Sequence, residues 1–139
     1  MILHVGHLNR ARNIQALASL QEERGNQVVV VGSTSTPQDC ALVAELRAAG
    51  VMVIDRFVPG IVELYQLADC YVFLAHAPTA CIDAPLSVLE AMACNLPVVT
   101  TRYGGLPALF GEGPGLTYVD DQAQMRAALL IILGMALAL

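Results

Sequence analysis

The sequence predicts an α/β domain with a single doubly wound parallel sheet of about six strands and helices on both faces. Two observations support this class. Short apolar, β-branched runs alternate with segments of helical periodicity along the chain. The run QVVVVG at residues 27–32 is apolar on both faces, which is typical of a strand buried inside a parallel sheet. Alternating strands and helices are joined by right-handed crossovers, so the sheet is expected to be parallel.

In the first half of the chain, strand and helix patterns follow each other strictly. We predict strands at residues 2–6, 27–32 and 51–56, and helices at residues 13–24, 37–49 and 61–68. Gly25 and Gly50 stand where the first two helices should stop, as glycine does after a helix.

The second half continues the alternation. We predict strands at residues 70–74, 97–100 and 115–119, a long loop at 75–84, and helices at residues 85–94, at 106–110 and after Asp120. Pro85 fits the first position of a helix, and Asn95 is a left-handed stop. Asp120 or Asp121 is expected to cap the final helix rather than to bind a metal.

Composition limits the classes of function. A chain of 139 residues is enough for one domain with one core. Hydrophobic residues make up 56% and charged residues 14%, which indicates a surface that a partner covers. The net charge of −5 argues against nucleic acid as a partner, because nucleic-acid binding needs a basic surface. An uncovered apolar face also favours self-association, so a homo-oligomer is one hypothesis.

The four cysteines show no close pairing such as C-x-x-C, so we expect buried thiols rather than a zinc site or disulfides. We expect neither a resident metal nor a cofactor. No signal peptide is recognised, and the apolar run at residues 127–139 is shorter than the ~20 residues of a membrane span. A cytoplasmic location is therefore expected, with no transmembrane segment.

The loops at the carboxyl edge of the predicted sheet should form the ligand site. One of them leads into the helix that starts near Pro85, where free N–H groups of Leu86 and Ser87 can hold phosphate. Glu90 lies one turn further, about 5 Å along the same face. This arrangement places a carboxylate next to a phosphate site, where a ribose fits.

Basic residues after the first strand are candidates for phosphate contacts. The chain contains no lysine and neither the G-x-G-x-x-G nor the P-loop pattern. Arg12 and Arg10 can pair with diphosphate oxygens, with a solvated helix start as the alternative for both. His7, at the strand end, is a candidate ligand residue, whereas His4 is expected to be packed in the core.

Two residues keep two interpretations each. Asp83 precedes the helix near Pro85 and can either cap that helix or contact substrate. His76 lies in the long loop and fits either a ligand role or a solvated position.

The chain resembles a known family in four segments: VGHLNRARNIQAL, VVVVG, LADCYVFL and APLSVLEAMACNLPVVTTRYGGLP. These are similar to the C-terminal, donor-binding half of retaining GT-B glycosyltransferases, often called family 4, and the similarity spans about residues 1–130. The resemblance implies that residues 1–139 form a Rossmann-like domain, one half of a GT-B fold, that binds a nucleotide-diphospho-sugar.

The resemblance also implies roles for single residues. Two basic residues that contact the diphosphate in the family match His7, which follows Gly6, and Arg12. The second glutamate of the family's E-x7-E motif, a ribose ligand, matches Glu90. The loop around Phe57 and Val58 would contact the base through its backbone.

At two positions the chain departs from the family pattern. Ile82 stands in place of the first glutamate of the motif, so Asp83 is the candidate to replace it as the acidic catalytic residue beside Arg12. Ala108 stands where the family has an acid after the Gly-Gly-x-Pro turn.

The acceptor-binding half is not part of these residues. The resemblance therefore implies donor binding, with weak or no transfer by this chain alone. Peripheral contact with the inner membrane face would come through the missing half. One alternative is a non-catalytic subunit that pairs with a separate acceptor-binding chain. Another is an epimerase-like relative, which would need acid and base groups that this chain scarcely offers.

Overall fold

The computed structural model describes residues 1–23 and 25–137. Its centre is one parallel sheet with the order β3-β2-β1-β4-β5-β6. The strands are β1 (Ile2–Gly6), β2 (Val28–Gly32), β3 (Met52–Ile54), β4 (Cys70–Phe73), β5 (Val98–Thr100) and β6 (Leu116–Tyr118). The predicted fold class is confirmed. All six predicted strands are present, and their ends differ from the prediction by at most two residues.

Helices cover both faces of this sheet. They are α1 (Ala18–Gln21), α2 (Cys40–Ala48), α3 (Ile61–Leu67), α4 (Leu86–Ala93), α5 (Leu106–Leu109) and α6 (Gln122–Leu137). One core cluster packs α1, α2 and α6 against alternate strand residues such as Val28 and Val30. The other packs α3, α4 and α5 against the residues between them, such as Val29 and Val31. The continuous valine run of β2 thus serves two cores, because successive side chains point to opposite faces.

The helix predicted at residues 13–24 is wrong in its first half. Two 3-10 turns, Arg10–Arg12 and Ile14–Leu17, precede the single α-helical turn of α1. Asn13 stands between them in the left-handed conformation (φ 55°), and its side chain donates to the carbonyl of Leu74. A tertiary hydrogen bond that periodicity cannot reveal therefore interrupts the regular helix. Part of the predicted helix, Arg24, lies outside the described residues.

Two predicted helix starts are also corrected. Helix α2 does not begin at Pro37: Asp39 caps it, and its carboxylate accepts from the N–H of Leu42 at 3.0 Å. Pro85 is not the first residue of α4 but the residue before it, with extended backbone (ψ 123°). For the final helix the prediction is confirmed, because Asp121 accepts from the N–H of Gln124.

The sheet opens between β1 and β4, and this opening positions the site. The two strands pair only at Ile2–Cys70 and Leu3–Tyr71. Beyond that point side chains replace the ladder: His4 Nδ1 donates to the carbonyl of Val72 at 2.8 Å, and the Tyr71 hydroxyl bonds the backbone of Val5. Strand order reverses at this point, and ligands of doubly wound sheets bind at such reversals.

The final helix, α6, contains most of the apolar run at residues 127–139; residues 138 and 139 lie outside the described part. Within residues 1–23 and 25–137, the structure holds no helix whose length and apolarity would suffice to cross a membrane.

Candidate functional site

A cavity of about 600 Å³ opens at the carboxyl edge of the sheet, between the end of β1 and the start of α4. It is lined by Val5, Gly6, His7, Arg12, Thr79, Ala80, Cys81, Ile82, Leu86, Ser87 and Glu90. The structure therefore brings together six of the residues proposed from the sequence: Gly6, His7, Arg12, Leu86, Ser87 and Glu90.

Arg12 is the buried cation of this cavity. Its side chain is 6% exposed, its Nε donates to the carbonyl of Ala80 at 2.6 Å, and its guanidinium carbon lies 5.9 Å from the ring centre of Phe73. Among the described residues, none of the ion pairs involves Arg12. A buried guanidinium without a carboxylate partner is costly unless an anion binds beside it.

Arg10, the second candidate, has a different environment. It is exposed, and its guanidinium bonds Glu45 at 2.6 Å and lies 3.6 Å from Asp39. The pair with Glu45 raises the pKa of Arg10. Arg10 therefore ties the first 3-10 turn to α2 and is not part of the cavity lining.

Gly6 leaves space for the close approach of Arg12. A Cβ built on Gly6 would lie 2.9 Å from Arg12 Nη1 and 3.4 Å from His4 Nε2. The missing side chain thus leaves room for the guanidinium against the end of β1. His4 Nε2 itself is buried and has no hydrogen-bond partner in the part of the chain that the structure describes.

The start of α4 forms the wall opposite Arg12. Pro85 precedes the helix, and no side chain within the described residues caps it. The Pro85 carbonyl accepts from the N–H groups of Val88 and Leu89, so the N–H groups of Leu86 and Ser87 belong to the free first turn. These groups and the helix dipole give the wall partial positive charge.

Two buried tyrosines hold the polar side chains of α4. The Tyr65 hydroxyl donates to Glu90 Oε2 at 2.8 Å, and the Tyr71 hydroxyl lies 2.6 Å from Ser87 Oγ. Neither tyrosine is assigned a functional role from the sequence, because both lie in apolar segments that indicate core. The available signal is that a buried tyrosine hydroxyl needs a hydrogen-bond partner.

His4, in β1, and His7, directly after β1, have different roles. His4 is a core residue, as predicted, and its burial lowers its pKa to about 4. His7 lines the cavity, and its Nδ1 lies 2.7 Å from Thr36 Oγ1. Partial burial and then the charge of Arg12 lower the pKa of His7 below 6.5, so His7 adds little positive charge at neutral pH.

Other candidates lie beside the cavity rather than in its lining. Asp83 does not cap α4, which corrects one of its two interpretations; its carbonyl accepts from the N–H of Gly105 at 3.0 Å. Asp83 packs so tightly on the Gly104-Gly105 turn that neither glycine has room for a side chain. Phe57 and Val58 lie in the loop after β3, two strands from β1, and the Phe57 side chain is 76% exposed.

His76 belongs to a neighbouring cavity of about 380 Å³ that it shares with Arg102 and Asp120. Arg102 forms an ion pair with Asp120 and lies against the ring of Tyr118. Asp120 is thus an ion-pair partner, while its neighbour Asp121 caps α6.

Comparison with curated proteins gives distant relatives. The chain is 36% identical over 117 residues to D-inositol 3-phosphate glycosyltransferase of Geodermatophilus obscurus, covering 77% of this chain and 25% of the relative. It is 24% identical over 122 residues to N-acetyl-alpha-D-glucosaminyl L-malate synthase of Bacillus anthracis, covering 81% and 30%. The chain therefore spans less than a third of the length of these relatives.

Solved structures share the fold at low identity. The catalytic domain of cholesterol-alpha-glucosyltransferase from Helicobacter pylori matches with a TM-score of 0.69 and 18% identity, over 99% of this chain and 87% of that chain. The C-terminal domain of a glycosyl transferase group 1 family protein from Francisella tularensis matches with a TM-score of 0.67 and 21% identity, over 94% and 74%.

The family model described as glycosyl transferases group 1 matches residues 1–134. This match covers the six strands, the cavity and nearly all of α6, and it agrees with the fold of the solved structures. The chain therefore belongs to the glycosyl transferases group 1 family and has the fold of a C-terminal GT-B domain.

Proposed function

We propose that this chain binds the donor, a nucleotide-diphospho-sugar, for a retaining glycosyltransferase. The diphosphate would lie between Arg12 and the first turn of α4, and the ribose would bind Glu90. The observation that carries this proposal is the buried guanidinium of Arg12, which has no carboxylate partner among the described residues and lies in a cavity whose other wall is a free helix start.

Charge supports a local anion site. The whole chain carries a net charge of −5, so long-range attraction does not draw anions to it. The cavity nevertheless holds two positive groups of its own: the guanidinium of Arg12 and the N–H groups of a helix start. A diphosphate would match both, because guanidinium and free N–H groups form charge-assisted hydrogen bonds with phosphate oxygens.

Arg12 would stabilise the leaving diphosphate during transfer, since electrostatic stabilisation of developing charge is a large part of catalysis. Asp83 is the acidic residue next to Ile82; its side chain packs on the Gly104-Gly105 turn outside the cavity lining, so we propose that it contacts the donor sugar only after it turns from this position toward the cavity. Transfer needs a positioned acceptor and exclusion of water. An acceptor-binding half, in the same protein or in a separate chain, would supply both.

The experiment is calorimetric titration with UDP, GDP and ADP and their N-acetylglucosamine conjugates, a sugar suggested by the name of one relative. We expect saturable binding of one base series. Replacing Arg12 with Ala should weaken it roughly 10- to 100-fold, because a hydrogen bond to a charged group contributes about 1.5–3 kcal/mol.

Arg10→Ala is the matched control, since Arg10 carries the same charge two residues away but pairs with Glu45 and Asp39. Its affinity should stay within about two-fold of the wild type. No binding of any nucleotide, or an equal loss in both variants, would refute the donor site.

One observation favours the alternative of a binding subunit without catalysis. Ile82, at the position of the family's first acidic motif residue, is 57% exposed and lines the cavity. Because this chain alone is expected to transfer weakly or not at all, we propose to fuse wild type and Ile82→Glu to the part of the Geodermatophilus relative that this chain does not cover, and to measure transfer to inositol phosphate. Transfer by the Ile82→Glu fusion only, with intact donor binding in both, supports the subunit, whereas transfer by the wild-type fusion contradicts it.

A further inference from the structure

We propose that Tyr65 and Tyr71 are positioning residues that fix Glu90 as a hydrogen-bond acceptor and Ser87 as a hydrogen-bond donor toward the ligand. This inference rests on the proposed donor-binding function. It assigns a task to two side chains that do not line the cavity but bond the two polar side chains of α4 that do.

Both phenols are buried and held by hydrogen bonds. Tyr65, from α3, is 1% exposed, and Tyr71, from β4, is fully buried, with ring centres 5.9 Å apart. Burial raises the pKa of both phenols. Both hydroxyls therefore keep their proton throughout the neutral range, and each has one hydrogen to donate.

Glu90 is exposed on α4, where a carboxylate would ordinarily sample several rotamers in water. The bond from Tyr65 to Oε2, at 2.8 Å, holds the carboxylate against the helix and the cavity. An ionised carboxylate has further lone pairs, so Oε1 can accept from a ligand hydroxyl.

Ser87 contacts the hydroxyl of Tyr71. The Tyr71 hydroxyl lies 2.6 Å from Ser87 Oγ, and the same hydroxyl accepts from the N–H of Val5 at 3.3 Å. The Val5 carbonyl, at 3.1 Å, is the more distant acceptor for the phenolic proton. With that proton donated to Ser87, the serine hydroxyl keeps its own proton for an acceptor such as a phosphate oxygen.

Together, the two bonds set a polarity along α4. A donor, Ser87, comes first, and an acceptor, Glu90, follows about 4.5 Å along the axis. A nucleoside diphosphate presents the complementary order, phosphate oxygens and then ribose hydroxyls. Tyr71 therefore affects binding of the diphosphate through Ser87, and Tyr65 affects binding of the ribose through Glu90.

The test is a set of titrations with UDP, GDP and ADP, each with its 2′,3′-dideoxy analogue, on the wild type, Tyr65→Phe and Tyr71→Phe. Loss of one oriented hydrogen bond is expected to weaken binding about five-fold. Tyr65→Phe should show that loss for the ordinary nucleotide and none for the dideoxy form. Tyr71→Phe should weaken both forms alike.

Tyr118→Phe is the matched control, because the Tyr118 hydroxyl bonds the carbonyl of Phe110 near β6, away from the cavity. It should leave both affinities unchanged. A Tyr65→Phe variant that loses the same factor for both ligand forms, or loses nothing, would overturn the positioning role of Tyr65, and an unchanged Tyr71→Phe variant would overturn that of Tyr71.

Crystal structures of the two variants separate this inference from the proposed function. If the wild type binds none of the nucleotides, donor binding fails. In that case a Glu90 carboxylate and a Ser87 hydroxyl that keep their positions without the phenols would overturn the positioning roles, whereas side chains that turn away would support them.

Discussion

Arg12 packs against the backbone of Gly6 at the end of β1, and a single added carbon there should disturb the guanidinium. We predict that Gly6→Ala weakens nucleoside diphosphate binding about ten-fold, because a Cβ 2.9 Å from Arg12 Nη1 forces the cation out of place. Calorimetry measures the effect. Gly111→Ala is the control, since within the described residues no atom beyond Gly111 and its two chain neighbours lies within 4 Å of the added carbon; equal losses in both variants would contradict this explanation.

His4 should make the stability of the fold depend on pH. Its pKa falls from 6.5 to about 4 because it is buried. The unfolded state therefore binds more protons between these values, and stability that is complete above pH 6.5 is lost as the pH falls toward 4. We predict a loss of about 3 kcal/mol from this residue.

The measurement is urea unfolding at pH 7 and pH 4.5 for the wild type and His4→Asn. Asparagine keeps an N–H donor for the Val72 carbonyl and cannot be protonated. The wild type should lose more of its free energy of unfolding than the variant over this pH range. Parallel losses would show that other groups cause the acid sensitivity.

Among the elements, α2 offers the clearest test of a local sequence signal. Asp39 caps it through a bond to the N–H of Leu42. We predict that Asp39→Ala lowers the free energy of unfolding by about 1 kcal/mol, the usual cost of a lost cap, and that Asp39→Asn retains most of it. Urea unfolding checks this. An equal loss in both variants would assign the effect to the charge near Arg10 instead of the cap.

Helix α4 is the element on which the candidate site depends most. Its sequence predicted a helix with free N–H groups available for phosphate. The helix starts at Leu86 because the backbone of Pro85 is extended. The side chains of Ser87 and Glu90 are oriented by hydrogen bonds to β4 and α3, respectively, which are distant from them in the sequence. Local propensity therefore forms the helix, and tertiary hydrogen bonds orient its side chains.

For the whole molecule, donor binding should appear as thermal stabilisation. A ligand that binds only the folded state at 100 times its Kd adds about 2.7 kcal/mol, which corresponds to roughly 10 °C in Tm for a domain of this size. We predict such a shift with the nucleoside diphosphate that binds, and a smaller shift of roughly 2–5 °C for Arg12→Ala at the same concentration, because binding weakened 10- to 100-fold leaves about 0.4–1.4 kcal/mol of stabilisation. Differential scanning calorimetry tests it; an equal shift in the variant would place the ligand elsewhere.

Self-association is the second property of the whole molecule. Leu130 and Ile131 are more than 60% exposed on α6, in a chain with 56% hydrophobic residues. We predict a concentration-dependent mass in light scattering, reduced by Leu130→Gln with Ile131→Gln. A constant monomer mass would contradict the homo-oligomer hypothesis.

The sequence by itself determined the class of the fold. Apolar runs such as that of β2 and the helical periodicity of α2 and α3 are local consequences of burial and hydrogen bonding, so they can be recognised without coordinates. Strand succession also predicted the edge at which Gly6, His7 and Glu90 meet, because parallel strands end on one side of the sheet.

Only the tertiary structure decided what surrounds each polar side chain. Arg10 and Arg12 are two residues apart and chemically identical, yet Arg10 pairs with carboxylates in solvent, whereas Arg12 is buried in the cavity with no carboxylate partner in residues 1–23 and 25–137. Long-range contacts also decide two other features. The helix is interrupted at Asn13 by a hydrogen bond across 61 residues of sequence. Tyr65 bonds Glu90 across 25 residues, and Tyr71 bonds Ser87 across 16. Burial and hydrogen-bond partners are properties of the packed molecule, and no local pattern encodes them.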